Sequence, residues 1–271
     1  MMATVGENIA RIRGEMDAAA RRGGRDPASA RLMAVTKTVS PVAVRLAYDA
    51  GLRLFGENYV QEGLLKIETL PPDAEWRMIG HLQSNKAKKA ARSFSAVDSV
   101  DRPSLAEELN RAANALGRVL PVLIEVNLGD EDTKSGCDRE GALSLARRAA
   151  EWPALSIRGL MALPPYLADP EAVRPYFRAL KELSREIEVR CPEILAVNVF
   201  AGFSFADTPD TGVSFTAVTV GDPAVATREL ERLALYTQAH RAAGNKRDEP
   251  LTVVLDRLQD ELRGPWPDAR R

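Results

Sequence analysis

Eight short apolar runs, at 31–37, 53–57, 76–80, 95–100, 121–127, 156–163, 194–200 and 214–220, constrain this chain more than any other feature. Stretches with helical spacing of apolar residues, at 41–51, 59–68, 103–116, 139–151 and 170–189, fall between them. Strands that alternate with helices build a parallel sheet, and eight such units in 271 residues predict an α/β fold of the (β/α)8, TIM-barrel type. An amphipathic helix precedes the first run, with Val5, Ile9, Ile12, Met16 and Ala19 on one stripe and Gly23-Gly24 at its end. Only Ala201 to Val213 separate the seventh and eighth runs. With Pro209 and Gly212 among them these residues hardly support a crossover helix, so closure by strands 7 and 8 is expected to be atypical. The reading divides the chain into a barrel over 1–236 and a C-terminal helix with a charged tail over 237–271.

Composition narrows the function. The 37 basic and 38 acidic residues nearly cancel, which gives no electrostatic case for nucleic acid or an anionic membrane. Cys137 and Cys191 lie far apart without a CxxC or Cys/His pattern, so neither a zinc site nor a disulfide framework is expected, and the reducing cytoplasm fits. No apolar signal core opens the chain and no run reaches the roughly 18 residues of a membrane span. His81 and His240 are the only histidines, which argues against a His-rich metal centre.

In such a barrel, ligands sit where the strands end. The residues there are polar: Lys37 after the first run, Gly56-Glu57-Asn58 after the second, Gly80-His81 and Gln83-Ser84-Asn85-Lys86 after the third, and Asn127 after the fifth. The sixth ends at Met161-Ala162-Leu163-Pro164. Taken singly, Asn58, Ser84 and Asn127 read as caps or turns, and Lys86, Lys88 and Lys89 as a solvated helix face. Lys37 differs, because it ends the run LMAVTK and its burial there would lower its pKa toward that of a nucleophilic amine.

The segments AVTKTVSP (34–41), LFGENYVQEGLLK (54–66), WRMIGHLQSNKAK (76–88), VDSVDR (97–102), IEVNLGDEDTKSG (124–136) and IRGLMALPP (157–165) closely resemble the pyridoxal 5′-phosphate homeostasis protein family. The resemblance spans about 5–190 and implies the barrel of the alanine racemase N-terminal domain, with pyridoxal phosphate (PLP) as cofactor. By resemblance Lys37 forms the aldimine, Asn58 lies near the ring, Ile79, Gly80, His81 and Ser84 belong to a loop over the cofactor, and Met161 packs beneath the ring. The family is regarded as a carrier that supplies PLP-dependent apoenzymes. Racemases need a second base from a C-terminal domain of the partner subunit, and the residues after 220 offer no such domain. A non-catalytic monomer is therefore expected.

Beyond 190 the chain departs from that family. Its Ser-x-Gly-Met-Ser-x-Asp and Val-Arg-x-Gly segments, which supply the phosphate cradle and the arginine facing the pyridine nitrogen, are absent, and no arginine occurs between Arg190 and Arg228. Residues 196–226 resemble a segment of the microcystinase-C-type metallopeptidases, which implies a chimeric chain. Gly202, Ser204 and Gly221 are the substitutes available for the phosphate. Two other readings stay open: a PLP-dependent racemase or lyase using Tyr59 or His81, and a degenerate chain with weakened PLP binding.

Overall fold

The computed structural model describes residues 4–129, 135–165, 170–191, 198–201 and 214–219. Its first helix, α1 (Val5–Arg22), starts at a capping box: the Glu7 amide donates to Thr4 Oγ1 and the Thr4 amide to Glu7 Oε2. The buried stripe carries Ile9, Ile12 and Ala20, while Ala19 is exposed. At 3.6 residues per turn, three turns on from Ile9 lie nearer Ala20 than Ala19, which moves the expected stripe by one residue.

The strands follow the apolar runs: β1 (Ala30–Val35), β2 (Leu54–Glu57), β3 (Glu75–Met78), β4 (Ala96–Val100), β5 (Leu120–Glu125), β6 (Leu155–Ala162), β7 (Asn198–Ala201) and β8 (Ser214–Thr219). Helices α2 (Pro41–Asp49), α3 (Val60–Ile67), α4 (Ala87–Ser93), α5 (Pro103–Ala115), α6 (Arg139–Arg147) and α7 (Arg174–Arg190) fill the connections up to β7. The strands close into a barrel in sequence order, with β1 to β7 parallel to one another.

The eighth strand breaks the repeat. It runs antiparallel to both neighbours, pairing Ala30 with Thr219 and Val35 with Ser214 on β1, and Ala201 with Ala217 on β7. Being antiparallel, β8 starts at the rim where β7 ends, which is an atypical closure of the kind expected from Pro209 and Gly212. The C-terminal end of β8 therefore lies at the opposite rim, beside Ala30. Gly221, Gly202, Ser204 and the segment 237–271 lie outside the described residues.

The core has two compartments. A large apolar layer between strands and helices includes Phe55 stacked on Trp76, with Leu105, Leu109, Leu143 and Leu180. Inside the barrel, Met33, Leu54, Leu123 and Met161 form a smaller cluster with Ile79 against it. Below it is an ionic floor: Arg77 makes two bonds to Asp98, at 2.7 and 2.6 Å, and touches Glu75 at 3.2 Å, which in turn pairs with Arg31 at 2.6 Å. The barrel is thus charged at its N-terminal end and apolar at mid-height. Among the described residues no helix is long and apolar enough to cross a membrane, and no cluster could hold a metal ion. Cys137 and Cys191 are free thiols.

Candidate functional site

The rim is best built from β1. The strand proper ends at Val35, Thr36 and Val39 are buried, and Lys37 and Thr38 between them are exposed. Lys37 is thus not the buried cation expected from LMAVTK. The strand stops two residues earlier, and the turn that follows leaves the side chain exposed. The turn is closed by the Val39 amide on the Thr36 carbonyl at 3.0 Å, and the Thr36 amide still reaches the Gly56 carbonyl at 2.9 Å. Thr38 takes a left-handed backbone, φ 62, which costs a β-branched residue on the order of 1–3 kcal/mol and persists only where neighbours enforce it.

Those neighbours come from β2 and α3. Glu57 is fully buried and Lys66 is 3 % exposed. Lys66 Nζ donates to Glu57 Oε1 at 2.8 Å, to Glu62 Oε1 at 2.6 Å and to the Thr36 carbonyl at 2.5 Å. Glu62 Oε1 also accepts the Thr38 amide at 2.7 Å, and the Thr36 hydroxyl donates to Glu57 at 2.5 Å. Burial pushes the Glu57 carboxyl up, while the bonds from Lys66 and Thr36 work against the rise. The buried lysine of this site is therefore Lys66. Its i,i+4 spacing from Glu62 is visible in the sequence, but its burial is not.

The loops after β2 and β3 pack on each other. Gly80 is needed there, since a Cβ would lie 2.4 Å from the Asn58 carbonyl oxygen. Asn58 is half-buried and does not cap α3, whose N-cap is Tyr59. Ile79 lies against the interior cluster, and the Gly80 carbonyl accepts from the Ser99 hydroxyl at 2.7 Å. His81 is half-exposed, with Nδ1 3.4 Å from Asp101 Oδ2. Ser84 opens a 3-10 turn before α4, and its hydroxyl accepts from Arg102 at 3.4 Å. Lys88 and Lys89 are exposed, as expected of a solvated helix face, whereas Lys86 is partly buried.

Asn127 has a turn role: its Oδ1 accepts the Gly129 amide at 3.2 Å, an Asx turn. Met161 is fully buried at the centre of the interior cluster, paired in register with Glu125 and Phe200. Lys37, Asn58, Ile79, Gly80, His81, Ser84, Asn127 and Met161 thus all belong to the strand ends of β1, β2, β3, β5 and β6 or to the loops that follow them.

Glu125 was not singled out by the sequence reading. It ends β5 at 4 % exposure, and its Oε2 has no hydrogen-bond partner among the described residues. Burial, with a further push from the Asp101 carboxylate, raises its carboxyl to about 8. Beside it the Cys137 thiol is pushed up to about 12, chiefly by burial, so it is no nucleophile at neutral pH. A carboxylate at the end of VLIE on the same alternation as the inward Leu123 was the available signal.

Glu125 should make stability depend on pH. A folded carboxyl raised from 4.5 to about 8 contributes fully below pH 4.5, and its contribution is lost as pH rises toward 8. Glu125→Gln has no such loss. Urea unfolding should find the variant little changed at pH 4.5 and more stable than the parent chain at pH 8, by on the order of 4 kcal/mol. An equal difference at both pH values would count against a neutral Glu125.

A family model described as alanine racemase, N-terminal domain, matches residues 8–221. The chain is 43 % identical over 183 residues to a pyridoxal phosphate homeostasis protein of Aquifex aeolicus, covering 67 % of this chain and 80 % of that one. It is 42 % identical over 189 residues to the protein of the same name from Pseudomonas aeruginosa, covering 69 % and 82 %. Among solved structures, PipY of Synechococcus elongatus with PLP bound superimposes with a TM-score of 0.60 at 33 % identity, covering 69 % of this chain and 87 % of PipY.

Proposed function

The chain belongs to the alanine racemase N-terminal-domain family, among the pyridoxal phosphate homeostasis proteins, and from that premise we propose that it holds PLP on Lys37 at the rim of the barrel where β1 to β7 end. The observation that carries the reading is the placement of one exposed amine, on a turn fixed by buried neighbours, at the rim above the apolar cluster of Met33, Leu54, Leu123 and Met161. The cofactor brings an aldehyde that condenses with an amine and releases water. Lys37 Nζ supplies that amine, Met161 and Ile79 supply an apolar surface for a flat ring, and His81 and Ser84 supply polar groups beside it. Glu125, neutral near pH 7, adds a buried proton-bearing group without a second negative charge beside an anionic ligand.

The phosphate is assigned to the connection between β7 and β8, where Gly202 and Ser204 lie. Both described ends of that connection, Ala201 and Ser214, open at the same rim as Lys37. Thr219, the described end of β8, lies at the other rim, beside Ala30. The protein acts in this reading as a non-catalytic holder that passes PLP to apoenzymes.

Absorbance titration with PLP, borohydride reduction and peptide mapping should find one reduced adduct, on the peptide containing Lys37. A folded protein that takes up no label, or takes it up only elsewhere, overturns the reading. A second reading, turnover of an amino acid, is favoured by one contact: Asp101 beside His81 Nδ1 is an arrangement that can orient an imidazole for proton transfer. Its mark would be conversion of an added amino acid by the PLP-loaded protein.

A further inference from the structure

The two residues flanking Lys37 are both tied to one buried ionic cluster. Lys66 Nζ holds the carbonyl of Thr36, and Glu62 Oε1 holds the amide of Thr38. The same Glu62 oxygen accepts from Lys66, so a single carboxylate joins the ammonium to the left-handed residue. Glu57 completes the cluster from β2 by taking both Lys66 and the Thr36 hydroxyl. Among the described residues no side chain pairs with the Lys37 amine, so its direction is set by its backbone.

We infer that Glu62 and Lys66 are positioning residues that hold the Thr36–Thr38 turn in its left-handed form and thereby aim Lys37 across the barrel rim. The charges suit this task. Lys66 is buried between two carboxylates and a carbonyl, which leaves it no freedom to wander, and the charge-assisted bond from Thr38 to Glu62 is of the stronger kind. Without that bond, Thr38 gains by relaxing to a negative φ, and a relaxed turn redirects the Lys37 side chain.

The inference rests on the reading that Lys37 holds PLP, and its test separates the two. Glu62→Gln keeps the shape of a partly exposed side chain but removes the charge. Hydrogen exchange at amides 37–39, measured without cofactor, should quicken about tenfold, and the PLP concentration for half-maximal adduct should rise about tenfold, with the thermal midpoint little changed. Glycine adopts φ near +60 without steric cost, so adding Thr38→Gly to Glu62→Gln should recover most of the lost PLP affinity. A purely structural role for Glu62 predicts no such recovery. Native exchange and native PLP affinity in Glu62→Gln, or a loss that Thr38→Gly does not repair, would overturn the inference. If the parent chain takes no PLP on Lys37, the functional reading fails, and the exchange comparison alone still decides whether Glu62 holds the turn.

Discussion

Lys37→Ala should abolish the borohydride-stable attachment of PLP while the folded barrel remains. The side chain is exposed, belongs to no ion pair among the described residues, and lies outside both apolar clusters. Its removal should therefore alter stability by no more than about 0.5 kcal/mol, as at an ordinary surface position. Among the described residues the nearest lysines are differently placed: Lys66 is enclosed by Glu57, Glu62 and the Thr36 carbonyl, Lys86 is partly buried in the 3-10 turn after β3, and Lys88 and Lys89 are exposed on α4. Mass spectrometry of reduced samples at equal PLP should show stoichiometric label on the parent chain and only scattered surface label on the variant. Matching circular dichroism and melting curves would confirm that the fold is not the cause. Stoichiometric label in Lys37→Ala would refute the assignment.

Asp98→Ala should be the most destabilising single change in the barrel floor, costing about 3–5 kcal/mol. Asp98 is fully buried and takes both ends of the Arg77 guanidinium, so its loss leaves a largely buried cation with only Glu75. The penalty comes from the stranded charge more than from the lost bond, which sets a control. Asp98→Asn keeps the volume but removes the charge and should cost nearly as much as alanine, whereas a packing defect alone would leave asparagine close to the parent chain. Urea unfolding of the three chains at pH 7 measures the order. Equal stability of all three would mean that solvent reaches Arg77 and screens it.

Much of this architecture is legible in the sequence because apolar runs and helical periodicity report burial directly. The strand positions and α1, α2, α3, α5, α6 and α7 follow from them. Helix α4 is fainter, since AKKAARS buries only Ala87, Ala90 and Ala91 and so carries little amphipathic contrast. The direction of β8 is hidden for a different reason: an apolar run gives a strand's existence and not its polarity, which the connection decides. At the site, the strand-end rule locates Lys37, Asn58, His81 and Met161. It misplaces the burial of Lys37, because a chain does not declare where a strand ends to within two residues. Glu57 is legible as a strand-end residue, but its cluster with Glu62 and Lys66 escapes notice since those two look like ordinary surface charges until β2 and α3 are folded against the turn.

The antiparallel seam has a consequence for how the barrel is made. Every other neighbouring pair joins strands consecutive in the chain, but β1 waits for Thr219 and its neighbours before its second edge is covered. Such a distant contact is closed late, as loop-closure entropy must be met before the pairing rewards it. Until then β1 and β7 present open strand edges, the surfaces on which chains most readily mispair. A nascent or heat-opened molecule is therefore most vulnerable to aggregation at this seam, and any second chain offering a strand of the same register competes directly with β8 for it.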